Sequence, residues 1–419
     1  MTIGIGGSSV AEELNTFKNM ASQAKPIEIE EFQQRIEQAK VLMRATNLDA
    51  IYINAGTSLL YFTGTPWSAS ERMVGAVITV AGHLEYIAPV FEQATLVDFM
   101  QVQAKVNGWQ EHESPFVLLG KVLARLGVSS GTVAVDPSTA FFIVAGLQQA
   151  CPEYQFVNDT RVTPVCRQTK SENELALLQL AKNITLRVHQ SAARILRPDI
   201  STLEVVDFIN EAHKAAGVTT GTTFCLVQFG EASAYPHGVK EPQFLQQGDI
   251  VLIDTGCRVQ GYHSDITRTY VFGEPNAKQR QVWNAEKAAQ AAAFEAATIG
   301  ASCEAVDAAA RKVLEHAGFG PDYALPGLPH RTGHGIGLDI HEGPYLVRGD
   351  KTRLAAGMCF SNEPMICIPG EFGIRHEDHF YITEHGAKWF TEPAHSVDDP
   401  FAYEVTSNDK PNTSPLTNE

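Results

Sequence analysis

The stretch IVLIDTGCRVQGYHSDITRTYVF, from Ile250 to Phe272, reads as two strands around a turn, yet it carries carboxylates in its apolar parts. Alternation places Ile250, Leu252 and Asp254 on one face of the first strand, and Asp265, Thr267 and Thr269 on one face of the second. Gly256 and Gly261 lie between them and let the chain fold back as an antiparallel hairpin. Two carboxylates buried side by side lose hydration and raise each other's pKa. Such a pair needs compensating positive charge.

Outward from the hairpin lie further groups of the same chemical kind, all in turns punctuated by Gly or Pro. They are His237 in AYPHGV, His334 in RTGHGIG, His341 in DIHEGPY, Glu363 in SNEPM and Glu377 in IRHEDHFYI. Singly, each has an ordinary explanation: an Asp beside a Gly serves a turn, and a lone His satisfies a local hydrogen bond. Together, four carboxylates and one imidazole gathered from separate strands make an oxygen-rich site suited to two divalent cations. Cations at that site would neutralise the paired aspartates and depress their pKa.

Around this core the chain divides near Pro164. From about residue 28 to 164, amphipathic helices alternate with short apolar runs such as DAIYI, VGAVITV and GTVAVD, the pattern of a smaller α/β domain. Ser171 and Glu174 then have capping-box spacing ahead of helices predicted over about 171–197 and 201–216. The hairpin, one Ala-rich helix over about 275–318 and strand-like runs to about 385 complete an α+β domain over 165–400. Residues 1–27 read as a flexible or draped extension, and 401–419 as a disordered tail.

Composition excludes several classes of partner. The 419 residues carry a formal net charge of -16, which argues against nucleic acid. No run approaches the length needed to span a bilayer, and the start lacks the layout of a secretory signal. Seven scattered cysteines without a C-x-x-C pair fit reduced, buried thiols, so a cytoplasmic protein is expected.

These motifs resemble the pita-bread metallopeptidases: prolidase, aminopeptidase P, methionine aminopeptidase and the related creatinase. DTGCRVQGYHSDITRT matches the family's Asp-to-Asp segment with its separation of eleven, GHGIGLDIHE supplies two histidines seven apart, and NEP and HED supply the glutamates. The resemblance implies a pita-bread catalytic domain preceded by a creatinase-type N-terminal domain. It implies that Asp254 chelates one metal, that His334 and Glu363 hold the other, and that Asp265 and Glu377 bridge them. The metals would be manganese first, with cobalt or zinc as alternatives. A metal-bridging hydroxide would attack the scissile carbonyl, with Glu363 shuttling the proton and His237 and His341 hydrogen-bonding the substrate carbonyl and its oxyanion. Thr267 would support Asp265.

The fourteen-residue gap between Glu363 and Glu377 is prolidase-like, so the expected activity is metal-dependent hydrolysis of Xaa-Pro dipeptides, and the resemblance implies a homodimer. The alternatives are an aminopeptidase P acting on longer Xaa-Pro peptides and a creatinase-like hydrolase of small C–N compounds. Arg375 matches a family arginine that pairs with carboxylates, whereas His330, His263 and Glu342 read as structural. One departure concerns substrate binding. Where many prolidases carry an arginine that grips the dipeptide carboxylate, this chain has Tyr345, which cannot form a bidentate ion pair. Arg348, or Arg72 delivered from another subunit, are the candidates to replace it, and Tyr235 the candidate to line the proline pocket.

Overall fold

The computed structural model describes residues 2–403, which fall into two compact units. The expected tail beyond residue 403 lies outside the described residues. One unit is Pro26–Thr169, against the 28–164 set by the sequence pattern; the other joins 2–25 to the chain from Lys170 onward.

In the second of these units α1 (Val10–Asn15) starts at a capping box formed by Ser9 and Glu12. Residues 2–25 are draped on the rest of this unit: the Thr2 N–H donates to Gly273 O at 3.0 Å and the Gly6 N–H to Ala193 O at 2.9 Å. Buried Glu13 accepts from Ser191 Oγ and Arg194 Nε, both at 2.7 Å.

The unit Pro26–Thr169 has helices α2 (Ile29–Ala45), α3 (Thr57–Thr63), α4 (Gln93–Phe99), α5 (Pro115–Arg125), α6 (Phe141–Ala150) and α7 (Thr163–Gln168). Its strands are β1 (Ala50–Asn54), β2 (Gly75–Thr79), β3 (Leu84–Pro89), β4 (Lys105–Trp109), β5 (Gly131–Val135) and β6 (Tyr154–Asn158). They form one sheet in the order β4-β3-β2-β1-β5-β6, antiparallel at β1–β2 and β2–β3 and parallel elsewhere. Tyr52, Val77 and Val133 of the sheet pack with Leu119, Leu123 and Leu147 of α5 and α6.

The second unit continues with α8 (Glu172–Arg194) and α9 (Thr202–Ala215), each opened by a Ser–Glu capping box, at Ser171 and Ser201. Then come β7 (Phe224–Phe229), β8 (Ile250–Gly256), the two-residue strands β9 (Arg258–Val259) and β10 (Tyr262–His263), and β11 (Ile266–Val271). β11 and β8 form the expected antiparallel hairpin, with Thr267 opposite Asp254, and β7 flanks β8. Instead of one Ala-rich helix there are two, α10 (Ala277–Ala296) and α11 (Cys303–His316). The break falls where Gly300 takes φ +81° and donates its N–H to Leu354 O, a conformation that favours glycine and ends the helical ladder.

Both faces of β8 are buried, which explains its unbroken apolar run. Val251 and Ile253 pack with Val188, Phe208 and Ile209 of α8 and α9. Ile250 and Leu252 belong to the opposite cluster, with Trp283, Ala289 and Ala293 of α10. Each such side chain contributes roughly 1.5–3 kcal/mol on burial, so the hairpin is held rigidly where it presents Asp254.

The remaining strands are β12 (Gly333–Gly335), β13 (Glu342–Leu346), β14 (Cys359–Asn362), β15 (Met365–Ile368), β16 (Phe372–Arg375), β17 (Asp378–Thr383) and β18 (Gly386–Trp389). Five of them make a sheet in the order β13-β12-β14-β17-β18, and β15 pairs with β16. A bridge between Thr267 and Glu377 ties the hairpin to this second set of strands. No helix among the described residues is long and apolar enough to cross a membrane.

Candidate metal centre

The carboxylates of the hairpin meet those of the second strand set at one point. Asp254 ends the inward face of β8, Asp265 immediately precedes β11, Glu363 follows β14, and Glu377 lies between β16 and β17. Asp254, Asp265 and Glu377 each offer an oxygen within 4.8 Å of one another, as do His334, Glu363 and Glu377, and as do Asp265, His334 and His341. Glu377, Asp265 and His334 each belong to two of these sets.

Local structure aims each side chain. His334 Nδ1 lies 2.9 Å from Gly335 O, a carbonyl that accepts its proton and leaves Nε2 to face the carboxylates. That Nε2 is 3.1 Å from Glu363 Oε1 and 3.7 Å from Asp265 Oδ2. Ser361 Oγ accepts the His334 N–H at 2.9 Å and donates to Glu363 Oε1 at 3.0 Å, fixing the two together. Thr267, directly across from Asp254, donates its hydroxyl to Glu377 Oε2 at 2.9 Å and accepts from Arg375 Nε at 3.1 Å. Arg375 Nη2 contacts Asp254 Oδ2 at 2.6 Å, so this arginine is held by the carboxylates rather than by solvent.

One buried cation does not balance four carboxylates. Asp254 Oδ1, Asp265 Oδ1 and Glu377 Oε1 are buried without a hydrogen-bond partner. Burial first, then the charges of Glu377, Asp254 and Glu363, push Asp265 well above the usual carboxylate range. Glu377 is pushed well above it too, by burial and by Glu363 and Asp254. Glu363 goes the other way, to about 2: burial pushes it up, but the hydrogen bond to His334, with His330 and Arg375 close by, holds it down. Three orphaned oxygens converging among like charges, with an imidazole nitrogen facing them, fit divalent cations in both donor type and charge.

Above the cluster opens a cavity of about 710 Å³. All five proposed ligands line it, together with His237, His341 and Arg375. Phe224, Leu226, Pro236 and Ile340 supply an apolar wall. Tyr345 and Tyr235 are not among the lining residues, whereas His330 is. His263 and Glu342 are not among them either; buried Glu342 pairs with Lys170.

Sequence reasoning missed the groups behind the ligands. His379 is fully buried, with Nε2 3.8 Å from Glu377 Oε1. His376 and Glu286, also fully buried, face each other at 3.3 Å. Arg268 donates to Glu377 O at 3.0 Å and forms an ion pair with Asp378 at 2.7 Å. The sequence signal for Arg268, His376 and His379 is a charged or imidazole side chain close to a candidate ligand in ITRT and RHEDH; Glu286, on α10, carries none.

The fold and this cluster define a two-domain metallopeptidase, and comparison with known families agrees. The chain belongs to metallopeptidase family M24, whose pattern matches residues 176–384, and residues 35–169 match the creatinase/prolidase N-terminal domain. Its relatives are pita-bread enzymes of the dipeptidase and prolidase type. It is similar to dipeptidase PepE of Mycobacterium ulcerans, 33% identical, with a TM-score of 0.82 over 89% of this chain and 99% of that one. It is also similar to the Xaa-Pro dipeptidase of Pyrococcus furiosus, 30% identical over 86% of this chain and 98% of the relative. The structure of the Xaa-Pro dipeptidase from Bacillus anthracis is 25% identical, with a TM-score of 0.77 over 87% of this chain and 99% of that one.

Proposed function

We propose that the protein is a dinuclear-metal exopeptidase that hydrolyses the Xaa-Pro bond of dipeptides. The observation that carries this reading is the convergence of Asp254, Asp265, His334, Glu363 and Glu377, with three orphaned oxygens, on the floor of one cavity. Asp254 would hold one cation, His334 and Glu363 the other, and Asp265 and Glu377 both. Two divalent cations supply Lewis-acid polarisation of the scissile carbonyl and bring the pKa of a water toward neutrality.

The protein's own groups do the rest. Glu363, which lines the cavity with its Oε1 3.1 Å from His334 Nε2, takes a proton from the attacking water and delivers it to the departing proline nitrogen. His237 and His341, both exposed at the cavity, donate hydrogen bonds to the substrate carbonyl as negative charge develops there. Arg375 keeps Asp254 oriented, and the apolar wall of Phe224, Leu226, Pro236 and Ile340 suits a pyrrolidine ring. Manganese as the metal, assembly as a homodimer and residence in the cytoplasm complete the reading. The seven cysteines are all free, which supports a reducing compartment.

The test is hydrolysis of an Xaa-Pro dipeptide, an Xaa-Pro-Xaa tripeptide and a non-proline dipeptide, after chelation and with Mn, Co or Zn restored. Cleavage of the Xaa-Pro dipeptide alone, restored by metal, is the expected result. Preference for the tripeptide would replace the dipeptidase with an aminopeptidase, and activity resistant to chelation would remove the metals from the mechanism.

A further inference from the structure

A dipeptide ends in a free carboxylate only one residue from the bond that breaks. Telling that free anion from a continuing peptide chain needs a cation on the cavity wall with donors to spare. Arg375 lines the cavity, but its donors are taken by Asp254 at 2.6 Å, Thr267 at 3.1 Å and Pro236 O at 3.3 Å. Arg348 is forked onto Asp322, at 2.9 and 2.6 Å. Arg72 belongs to the other unit and pairs with Glu111 and Glu71.

Arg331 differs from all three. It lines the cavity, its side chain is exposed, and its guanidinium has no ion pair among the described residues. What holds it is an aromatic face: the guanidinium carbon lies 4.3 Å from the centroid of the Tyr345 ring. Tyr345 in turn sits on β13 directly opposite the metal-facing His334 of β12, which places the ring beside the catalytic strand. A stacked guanidinium is fixed in its plane while its N–H groups stay available at the edge, the geometry that bidentate carboxylate binding uses.

We infer that Arg331, braced on the ring of Tyr345, binds the free α-carboxylate of the substrate dipeptide. The residue at position 345 then acts as a platform for the cation instead of as a hydrogen-bond donor, and its hydroxyl is dispensable. This inference rests on the dipeptidase reading above.

The test compares an Xaa-Pro dipeptide with the same dipeptide carrying a C-terminal amide, using the metal-loaded full-length protein. Wild type should prefer the acid. Arg331→Gln should lower the ratio of kcat/KM for acid over amide by about 10- to 100-fold, chiefly through KM for the acid, as expected for loss of a charge-assisted pair. Arg331→Lys should recover part of that ratio. Tyr345→Phe should keep it and Tyr345→Leu should lower it, because the ring and not the phenol supports the guanidinium. Free proline should inhibit wild type more strongly than prolinamide and lose that advantage in Arg331→Gln. Equal losses on acid and amide, or none, would overturn the assignment of Arg331 and leave the peptidase reading standing. A wild type that cleaves neither substrate with metal restored would overturn the peptidase reading and this inference with it.

Discussion

Two carboxylate sites lie one residue apart on the same strands and are built on opposite terms. On one side of β11 and β17, Arg268 and Asp378 are 1% and 0% exposed, and their side chains meet at 2.7 Å. Thr391 and Gln290 add hydrogen bonds to Asp378, and Arg268 also reaches the carbonyls of Glu377 and Glu392. On the other side, Thr267 and Glu377 face Asp254 and Asp265, where three oxygens stay unpartnered. Burial raises the pKa of Asp378, but the charge and hydrogen bonds of Arg268 work against it; for Asp265, burial and the charges of Glu377, Asp254 and Glu363 all push the same way. The first site carries its own cation and is complete as a structural pair. The second lacks a balancing charge of its own, and that imbalance supports the proposal that chemistry takes place there.

The largest break in this comparison comes from neutralising the unbalanced side. Asp265→Asn or Glu377→Gln should lose bound metal, measured by elemental analysis, and lower kcat/KM on an Xaa-Pro dipeptide by at least about 10³-fold. The same variants, metal-free, should melt no lower than metal-free wild type, since each removes repulsion among buried like charges. Full activity with full metal content in Asp265→Asn would refute the ligand set. On the balanced side the cost should fall on stability instead. Arg268→Ala should destabilise by about 3–5 kcal/mol, in the metal-free and loaded forms alike, by stranding Asp378 in the dry interior. Denaturant titration reads this directly, and the double variant Arg268→Met with Asp378→Leu should lose less than the two single changes summed.

The next effect in size is on pH. Asp265 and Glu377 have folded-state pKa values above those of an unfolded chain, by burial and by each other's neighbours. The metal-free folded protein therefore binds protons more tightly than the unfolded one, so it is stabilised at low pH and loses that stability as pH rises through the folded-state values. Its melting temperature should fall as pH rises above the ordinary carboxylate range, while the metal-loaded protein should show no such fall. Metal binding should also release protons, more of them at the lower pH, detectable by calorimetry in buffers of different ionisation enthalpy. A flat melting profile for the metal-free protein would mean that Arg375 alone neutralises the cluster.

How much of this was legible in the sequence varied with the range of the interaction. The hairpin and the helix starts at Ser171 and Ser201 rest on local signals, namely alternation, turn glycines and capping boxes, visible in short windows, whereas the proposed ligands were picked out by motifs that resemble a family. The break between α10 and α11 was missed because Ala-rich sequence on both sides favours helix, and the bonds that end it run to Leu354 and Thr352. Residues 2–25 read as an extension because the groups that dock them, Gly273, Asp398 and Ala193, are remote in the chain. Arg331 was passed over for Arg348 and Arg72, since whether an arginine is spoken for depends on partners that only the fold brings near.

The smallest expected effect sits on the hinge between the two sites, at Thr267. Its hydroxyl donates to Glu377 and accepts from Arg375, which in turn holds Asp254, so one group orients a ligand from each strand set. Thr267→Val preserves the buried shape but removes both bonds, and Thr267→Ser restores them. Thr267→Val should weaken metal affinity by about 10- to 100-fold, the usual cost of removing a partner that orients a ligand, with kcat at saturating metal reduced less. Thr267→Ser should recover most of the affinity. If Thr267→Val instead lowered stability as much as Arg268→Ala and left affinity intact, the hydroxyl would belong to the structural side of the strands, and the division between the two sites would have to be drawn one residue further inward.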